Sequence, residues 1–131
     1  MNVLVYGSID EGKRIKLIFG SGDVEIIYLT QKITRPRDLK SLRNLRDIDL
    51  AIVDAAETGA KQVCNYLAKV RRIVVALLVD GRYEEWVEWI HYPVLAYISK
   101  VAGDEELAAR IKSVISRARS SSNIMGVSDS N

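Results

Sequence analysis

Five short apolar runs alternate along the chain with segments of helical periodicity, and this alternation limits the fold more than any other pattern. The runs are NVLVYG (2–7), VEIIYL (24–29), LAIVDA (50–55), IVVALLV (73–79) and VLAYIS (94–99). The first, third and fourth are almost continuously apolar, as strands covered on both faces must be, so we predict that they are central strands. Strands that alternate with helices are typical of βαβ units on a parallel sheet.

The segments between these runs carry helix signals. Ser8 and Glu11 form an S-x-x-E capping box, which predicts a first helix from Ser8 to Phe19, ended by GSG at 20–22. The second helix is predicted to begin at Pro36 and to bury leucines spaced by three. The remaining helices are predicted at about 58–69, 82–90 and 104–119.

Five βα units with right-handed crossovers predict an α/β, flavodoxin-like fold. The expected sheet is doubly wound, has five parallel strands in the order 2-1-3-4-5, and lies between two layers of helices. We expect one domain over residues 1–119. Residues 120–131 are polar and without period, which predicts a flexible tail or the start of a linker.

Charge and composition exclude several classes of protein. The net charge is only +2, so nucleic-acid binding has no general support. A single cysteine, Cys64, cannot form an intramolecular disulfide and fits a reducing compartment. No apolar stretch is long enough to span a membrane, and the N-terminus lacks the basic and apolar regions of a signal peptide. We therefore expect a cytoplasmic protein without a membrane role.

The carboxyl ends of the strands are where ligands gather in a sheet of this kind. Gly7 and Ser8 follow the first strand, Asp54 ends the third, Asp80 follows the fourth and Lys100 follows the fifth. Asp54 in IVDAAE and Lys100 in AYISK resemble the phosphorylatable aspartate and the partner lysine of response-regulator receiver domains. The resemblance covers about residues 2–118. It implies that Lys100 reaches across the rim of the sheet to Asp54, and that Tyr97 corresponds to the family's switch aromatic.

The chain departs from the receiver pattern at the positions that support phosphoryl transfer. Gly7 and Ser8 replace an acidic pair that holds Mg²⁺ in receivers. Receivers also carry a hydroxyl residue at the end of the fourth strand, where this chain has Leu78 or Val79. Val101 replaces a proline. These departures resemble an atypical receiver, or pseudo-receiver. They predict a non-catalytic signalling module without a cofactor, which acts through protein contacts.

Two alternative functions remain open. In a phosphorylatable receiver, Asp54, Asp80 and Asp10 would hold a displaced Mg²⁺ ion. In a flavodoxin-like ligand-binding domain, Gly7 would leave space for a small molecule between the first and third strands. Local explanations compete with both: Glu11 is accounted for by helix capping, and Asp54 by an ion pair with Lys100 that fixes the rim.

Two surface segments suggest contacts with other molecules. In RYEEWVEWIHYP (82–93), the helical period predicts a buried stripe of Tyr83, Trp86, Val87 and Ile90, and leaves Trp89 exposed. By resemblance, the face formed by the fourth helix, fifth strand and fifth helix binds a partner or a second copy. Trp89, Tyr97 and Trp86 are its candidate residues, and an output domain could be linked covalently.

The second segment spans residues 32–46 and is basic. It contains Lys32, Arg35, Arg37, Lys40, Arg43 and Arg46. No aromatic residues alternate with these cations to stack nucleic-acid bases, so a solvated face is the simplest interpretation.

Overall fold

The computed structural model describes residues 1–19, 24–29, 32–45 and 47–129. The strands are β1 (Asn2–Tyr6), β2 (Glu25–Tyr28), β3 (Leu50–Asp54), β4 (Val74–Val79) and β5 (Ala96–Ser99). The helices are α1 (Ile9–Phe19), α2 (Lys40–Arg43), α3 (Ala60–Asn65), α4 (Tyr83–Trp89) and α5 (Asp104–Asp129). A 3₁₀ turn (Pro36–Leu39) leads into α2, and a π-helical turn (Tyr66–Val70) extends α3.

The five strands form one parallel sheet in the order β2-β1-β3-β4-β5, which confirms the predicted topology. The continuously apolar runs are the central strands. All five residues of β3 are buried, whereas the edge strand β2 has no buried residue. The strands with continuous apolar runs are therefore more buried than β2, whose run is mixed, as predicted.

Two apolar layers cover the sheet. One face packs against α1 and α5 through residues such as Ile15 and Ile111. The other packs against α2, α3 and α4 through Leu42, Leu67 and Trp89. Because all strands are parallel, their carboxyl ends lie on one edge, and Asp54 and Lys100 are brought together there.

Some helix boundaries differ from those predicted. The second helix is only a 3₁₀ turn followed by one turn of α-helix. The last helix continues past residue 119 to Asp129, where we predicted no regular structure. Extending an existing helix costs less than starting one, so weak helix formers can follow a packed helix. The boundary of the domain at residue 119 stays a prediction, and the GSG stop at 20–22 lies outside the described residues.

No helix within the described ranges is both long enough and apolar enough to cross a membrane.

Candidate functional site

Asp54 ends β3 at the carboxyl edge of the sheet and is the one buried charged residue in the described part of the chain, 5% exposed. Its Oδ1 atom accepts a hydrogen bond of 2.8 Å from the backbone N–H of Ala56. A buried carboxylate needs such partners, since burying an unpaired charge costs far more than burying an unpaired neutral polar group, for which the cost is about 2–7 kcal/mol.

Lys100 supplies the opposite charge. It follows β5, and its Nζ atom contacts Oδ1 of Asp54 and lies 3.8 Å from Oε1 of Glu11. Burial alone lowers the pKa of Lys100. The hydrogen bond and charge of Asp54, with the charges of Glu11 and Asp80, outweigh burial and raise this pKa above its ordinary value. The ammonium group therefore stays charged between the two carboxyl groups.

Glu11 is the site residue that sequence reasoning missed. The first half of the predicted capping box forms, since Ser8 Oγ accepts the N–H of Glu11 at 3.1 Å. The Glu11 carboxyl group, however, lies at the rim beside Asp54 and Lys100. Side chains of a helix lean toward its N-terminus, so a first-turn residue of α1 can reach this rim. This direction of helical side chains was the signal that could have placed Glu11 at the rim.

Gly7 makes room for Glu11. A Cβ atom at position 7 would lie 2.6 Å from Oε2 of Glu11 and 3.1 Å from Cβ of Asp54. The space above β1 is therefore occupied by a carboxyl group that comes from α1. The Oε2 atom is buried and has no hydrogen-bond partner among the described residues.

The protonation of Glu11 follows from this position. Burial, the hydrogen bond with Asp54 and the charge of Asp54 raise the pKa of Glu11 from 4.5 to about 7, against the opposing effects of Lys100 and the Ser8 N–H. Two adjacent carboxyl groups share a proton more readily than both carry a negative charge.

We predict that Glu11 makes the protein less stable as the pH rises. Between pH 4.5 and about 7 the folded state holds the Glu11 proton that the unfolded chain has lost. The free energy of unfolding therefore falls across this window, by about 1–3 kcal/mol. Glu11→Gln, which mimics the protonated group, should remove this fall in urea denaturation curves measured at several pH values.

Glu105→Gln is the matched control, because Glu105 is exposed in the first turn of α5. It should leave the pH profile of the wild-type protein unchanged. An equal fall with pH in Glu11→Gln would show that Glu11 does not carry this proton.

The positions of Asp54, Asp80 and Asp10 do not support the displaced cation site of the alternative function. Asp80 is exposed and lies 3.6 Å from Arg82, and Asp10 is exposed at the start of α1. Among the described residues, no three His, Cys, Asp or Glu side chains are placed to bind a metal ion. Asp10 and Glu11 are neighbours on α1, but the helix turns only Glu11 toward Asp54, so Asp10 does not contribute to the rim.

The environment of the two tryptophans is the reverse of the prediction. Trp89 is 2% exposed and lies in the core, whereas Trp86, Val87 and Ile90 are exposed by 46%, 51% and 67%. The expectation that Trp89 is an exposed interface residue is therefore wrong. The apolar residues of this segment cover about half of the helix surface, a stripe too wide for the helical period to decide which of them face the sheet. The side chain of Tyr83 lies outside the described part.

Tyr97 contacts α4 from β5. Its ring centroid lies 4.7 Å from that of Trp86, and its hydroxyl donates a hydrogen bond of 3.3 Å to the carbonyl oxygen of Trp89. Tyr97 and Trp86 thus form an aromatic surface pair beside the exposed Val87 and Ile90.

A buried tyrosine joins the loop after Asp54 to the chain before α2. The Tyr6 hydroxyl donates to the carbonyl oxygen of Thr58 at 2.5 Å and accepts the N–H of Ile33 at 2.9 Å. Gly59 has φ +78°, and a Cβ atom there would collide with the Ile33 carbonyl oxygen. Lys32 pairs with Glu57 across the same junction.

An open cleft of about 490 Å³ lies beside Gly7, on the side of β1 that faces β2. Its polar wall includes Ser8, Asp10 and Lys32. The predicted ligand pocket was placed between β1 and β3, but Glu11 occupies the space next to Asp54.

Comparisons with solved structures identify the fold. A response regulator from Thermotoga maritima superposes with a TM-score of 0.69 at 20% identity, over 88% of this chain and 97% of that one. The signal receiver domain of a signal transduction histidine kinase from Syntrophus aciditrophicus gives a TM-score of 0.68 at 20% identity, over 88% and 89% of the chains. NtrX from Brucella abortus, solved with ADP, gives 0.73 at 13% identity, over 96% of this chain and 28% of that one.

The chain has the fold of a response-regulator receiver domain. No protein-family model matches the sequence, and no curated protein matches it.

One departure from the receiver pattern that the sequence already indicated lies at the end of β4. Leu78 and Val79, where receivers carry a hydroxyl residue, are both 3% exposed and have no side-chain oxygen. Among the described residues at this rim, Lys100 lies against Asp54 and near Glu11.

Proposed function

We propose that this domain is a pseudo-receiver, a non-catalytic signalling module that acts through protein contacts. The main support is the replacement of the acidic pair by Gly7 and Ser8, which leaves Asp54 and Glu11 as the carboxyl groups next to Lys100. A phosphorylatable aspartate needs a bound Mg²⁺ ion and an accessible carboxylate oxygen. Here Asp54 is buried, and its Oδ1 atom already contacts the Lys100 ammonium group and accepts the N–H of Ala56.

The experiment is incubation with acetyl phosphate and Mg²⁺, followed by intact-mass measurement. We expect no phosphoryl adduct on the wild-type protein. Asp54→Asn gives the background for modification at other residues. A stoichiometric adduct that maps to Asp54 would refute the proposal.

One observation favours a second candidate, a phosphorylatable receiver. The Glu11 carboxyl group brings a second acid to Asp54, and its Oε2 atom is buried and unpaired with any described residue. Two carboxyl groups and the Ala56 carbonyl could contribute to a Mg²⁺ site if water completed it, although Lys100 already lies between them. This candidate predicts an adduct on the wild-type protein that is lost in Glu11→Gln.

A third candidate, a small-ligand-binding domain, is supported by the cleft beside Gly7, whose volume of about 490 Å³ is in the range of ligand sites. A thermal-shift screen with nucleotides and flavins tests it. Ser8→Val should abolish any shift that depends on this cleft, since Ser8 lines it.

The contact surface that we propose is the face of α4, β5 and α5, centred on Trp86 and Tyr97. An aromatic pair, in which Trp86 is exposed and Tyr97 is partly buried, beside two exposed aliphatic residues is typical of a binding surface. A second copy or a protein partner would bind there. A linked output domain is supported by the NtrX comparison, in which this fold spans 28% of a longer chain. We also propose a cytoplasmic location, supported by the single cysteine.

A further inference from the structure

A basic surface lies on the described chain before and within α2. Arg37, Lys40 and Arg43 are exposed and spaced by three, and we call them the basic face. A spacing of three in a 3₁₀ turn and the helical turn that follows puts them on one side. None of them forms an ion pair with a described residue. Arg46 is outside the described residues.

The neighbouring acid does not neutralise the basic face. Asp38 accepts hydrogen bonds from the backbone N–H groups of Thr34 and Arg35, at 3.1 and 3.0 Å, and from the Thr34 hydroxyl. These backbone hydrogen bonds hold the pKa of Asp38 below its ordinary value. Its carboxylate thus caps the turn and leaves the three cations free for an external anion.

A hollow of opposite charge lies at the start of α4. It has a volume of about 350 Å³ and is bounded by Ala55, Ala56 and Trp89, with one cation, Arg82. The carboxylates around it are Asp80, Glu84, Glu85 and Glu88. Arg82 and Lys61 compensate Asp80 and Glu88, and Glu85 accepts the N–H groups of Asp80 and Gly81. Glu84 has no ion-pair partner among the described residues.

We propose that the basic face of one copy docks into the α4 hollow of a second copy. The hollow has room for a long cationic side chain, and the charges of the two surfaces are complementary. A polyanion such as nucleic acid is a poorer occupant. The α4 carboxylates lie on the same side of the sheet as α2 and would repel it, and no aromatic side chain in 35–43 can stack a base.

This contact joins two different surfaces, so it is heterologous: each copy can bind one neighbour through its basic face and another through its hollow. Association should therefore continue beyond a dimer as the protein concentration rises. It should also be lost at high salt, because the cations of the basic face are exposed. Both properties distinguish it from a contact through the aromatic face of α4, β5 and α5.

Sedimentation velocity at about 20 mM and about 0.5 M NaCl tests the proposal. We expect salt-sensitive association of the wild-type protein, and its loss in the double variant Lys40→Glu, Arg43→Glu and in Glu84→Lys. Each variant keeps one intact surface. An equimolar mixture should therefore form a complex again through the basic face of Glu84→Lys and the hollow of the double variant. The double variant Lys13→Glu, Lys16→Glu changes two exposed cations of α1 and lowers the net charge by the same amount as Lys40→Glu, Arg43→Glu, so it is the control and should associate as the wild type does.

Several results would overturn the proposal. A wild-type protein that is monomeric at low salt refutes it, as does a double variant that still associates. Variants that do not complement each other, or an equal loss in Lys13→Glu, Lys16→Glu, also refute it. Association that resists salt and disappears in Trp86→Ala assigns the contact to the aromatic face instead. Binding of duplex DNA that the double variant loses, with no self-association of the protein, assigns the basic face to nucleic acid.

Discussion

Replacing Trp89 by alanine is expected to lower the free energy of unfolding by about 3–5 kcal/mol. The indole is 2% exposed and belongs to the apolar layer beneath α4. Its ring centroid lies 5.0 Å from that of Tyr92, and Lys61 Nζ lies 6.0 Å from the ring centre. Truncation leaves a cavity that a seven-residue helix can close only by moving. Urea denaturation followed by circular dichroism measures the loss.

Trp86→Ala is the matched control on the same helix. Trp86 is 46% exposed, so its truncation should cost about 1 kcal/mol or less. It should, however, weaken self-association or partner binding through the α4, β5 and α5 face, measured by sedimentation or by titration with a partner. Equal destabilisation by the two changes would contradict this arrangement of α4.

Replacing Lys100 by methionine is expected to lower the free energy of unfolding by about 3 kcal/mol near neutral pH. Methionine keeps most of the volume of the side chain but removes the charge between Asp54 and Glu11. Two carboxyl groups are then left at a partly buried rim without a cation. Below the Glu11 pKa of about 7, Glu11 is protonated and the rim loses one of its two negative charges, so the difference from the wild-type protein should shrink as the pH falls.

Two further variants test whether the charge is responsible. Lys112→Met removes an exposed cation and should change the stability by no more than about 0.5 kcal/mol. Adding Glu11→Gln to Lys100→Met should restore part of the loss at neutral pH, because only one carboxyl group then remains. A loss that is independent of pH would mean that Lys100 acts through packing alone.

The strand order could be predicted from the sequence because it depends on local patterns. The continuously apolar runs at 2–7, 50–55 and 73–79 can be satisfied only between two covered faces, and the parallel connections then fix the order. The meeting of Asp54 with Lys100 follows from the same topology, since both residues end parallel strands on one edge.

The errors concern side chains for which two local explanations were equally satisfactory. Glu11 fits a capping box in the sequence, and only the glycine at position 7 and the position of α1 on the sheet direct its carboxyl group to Asp54. The apolar stripe of α4 is wide, so the burial of Trp89 depends on how the helix is set against β4 and β5. Information of this kind is tertiary and is not contained in the period of a short segment.

The Tyr6 hydroxyl has a mechanical consequence. It is the common partner of the Thr58 carbonyl and the Ile33 amide, so the loop that follows Asp54 and the chain that enters α2 cannot separate without leaving a polar group of this buried junction unsatisfied. A displacement of either segment should therefore move the other. A change in the loop after Asp54 is thus expected to reach the chain that enters α2.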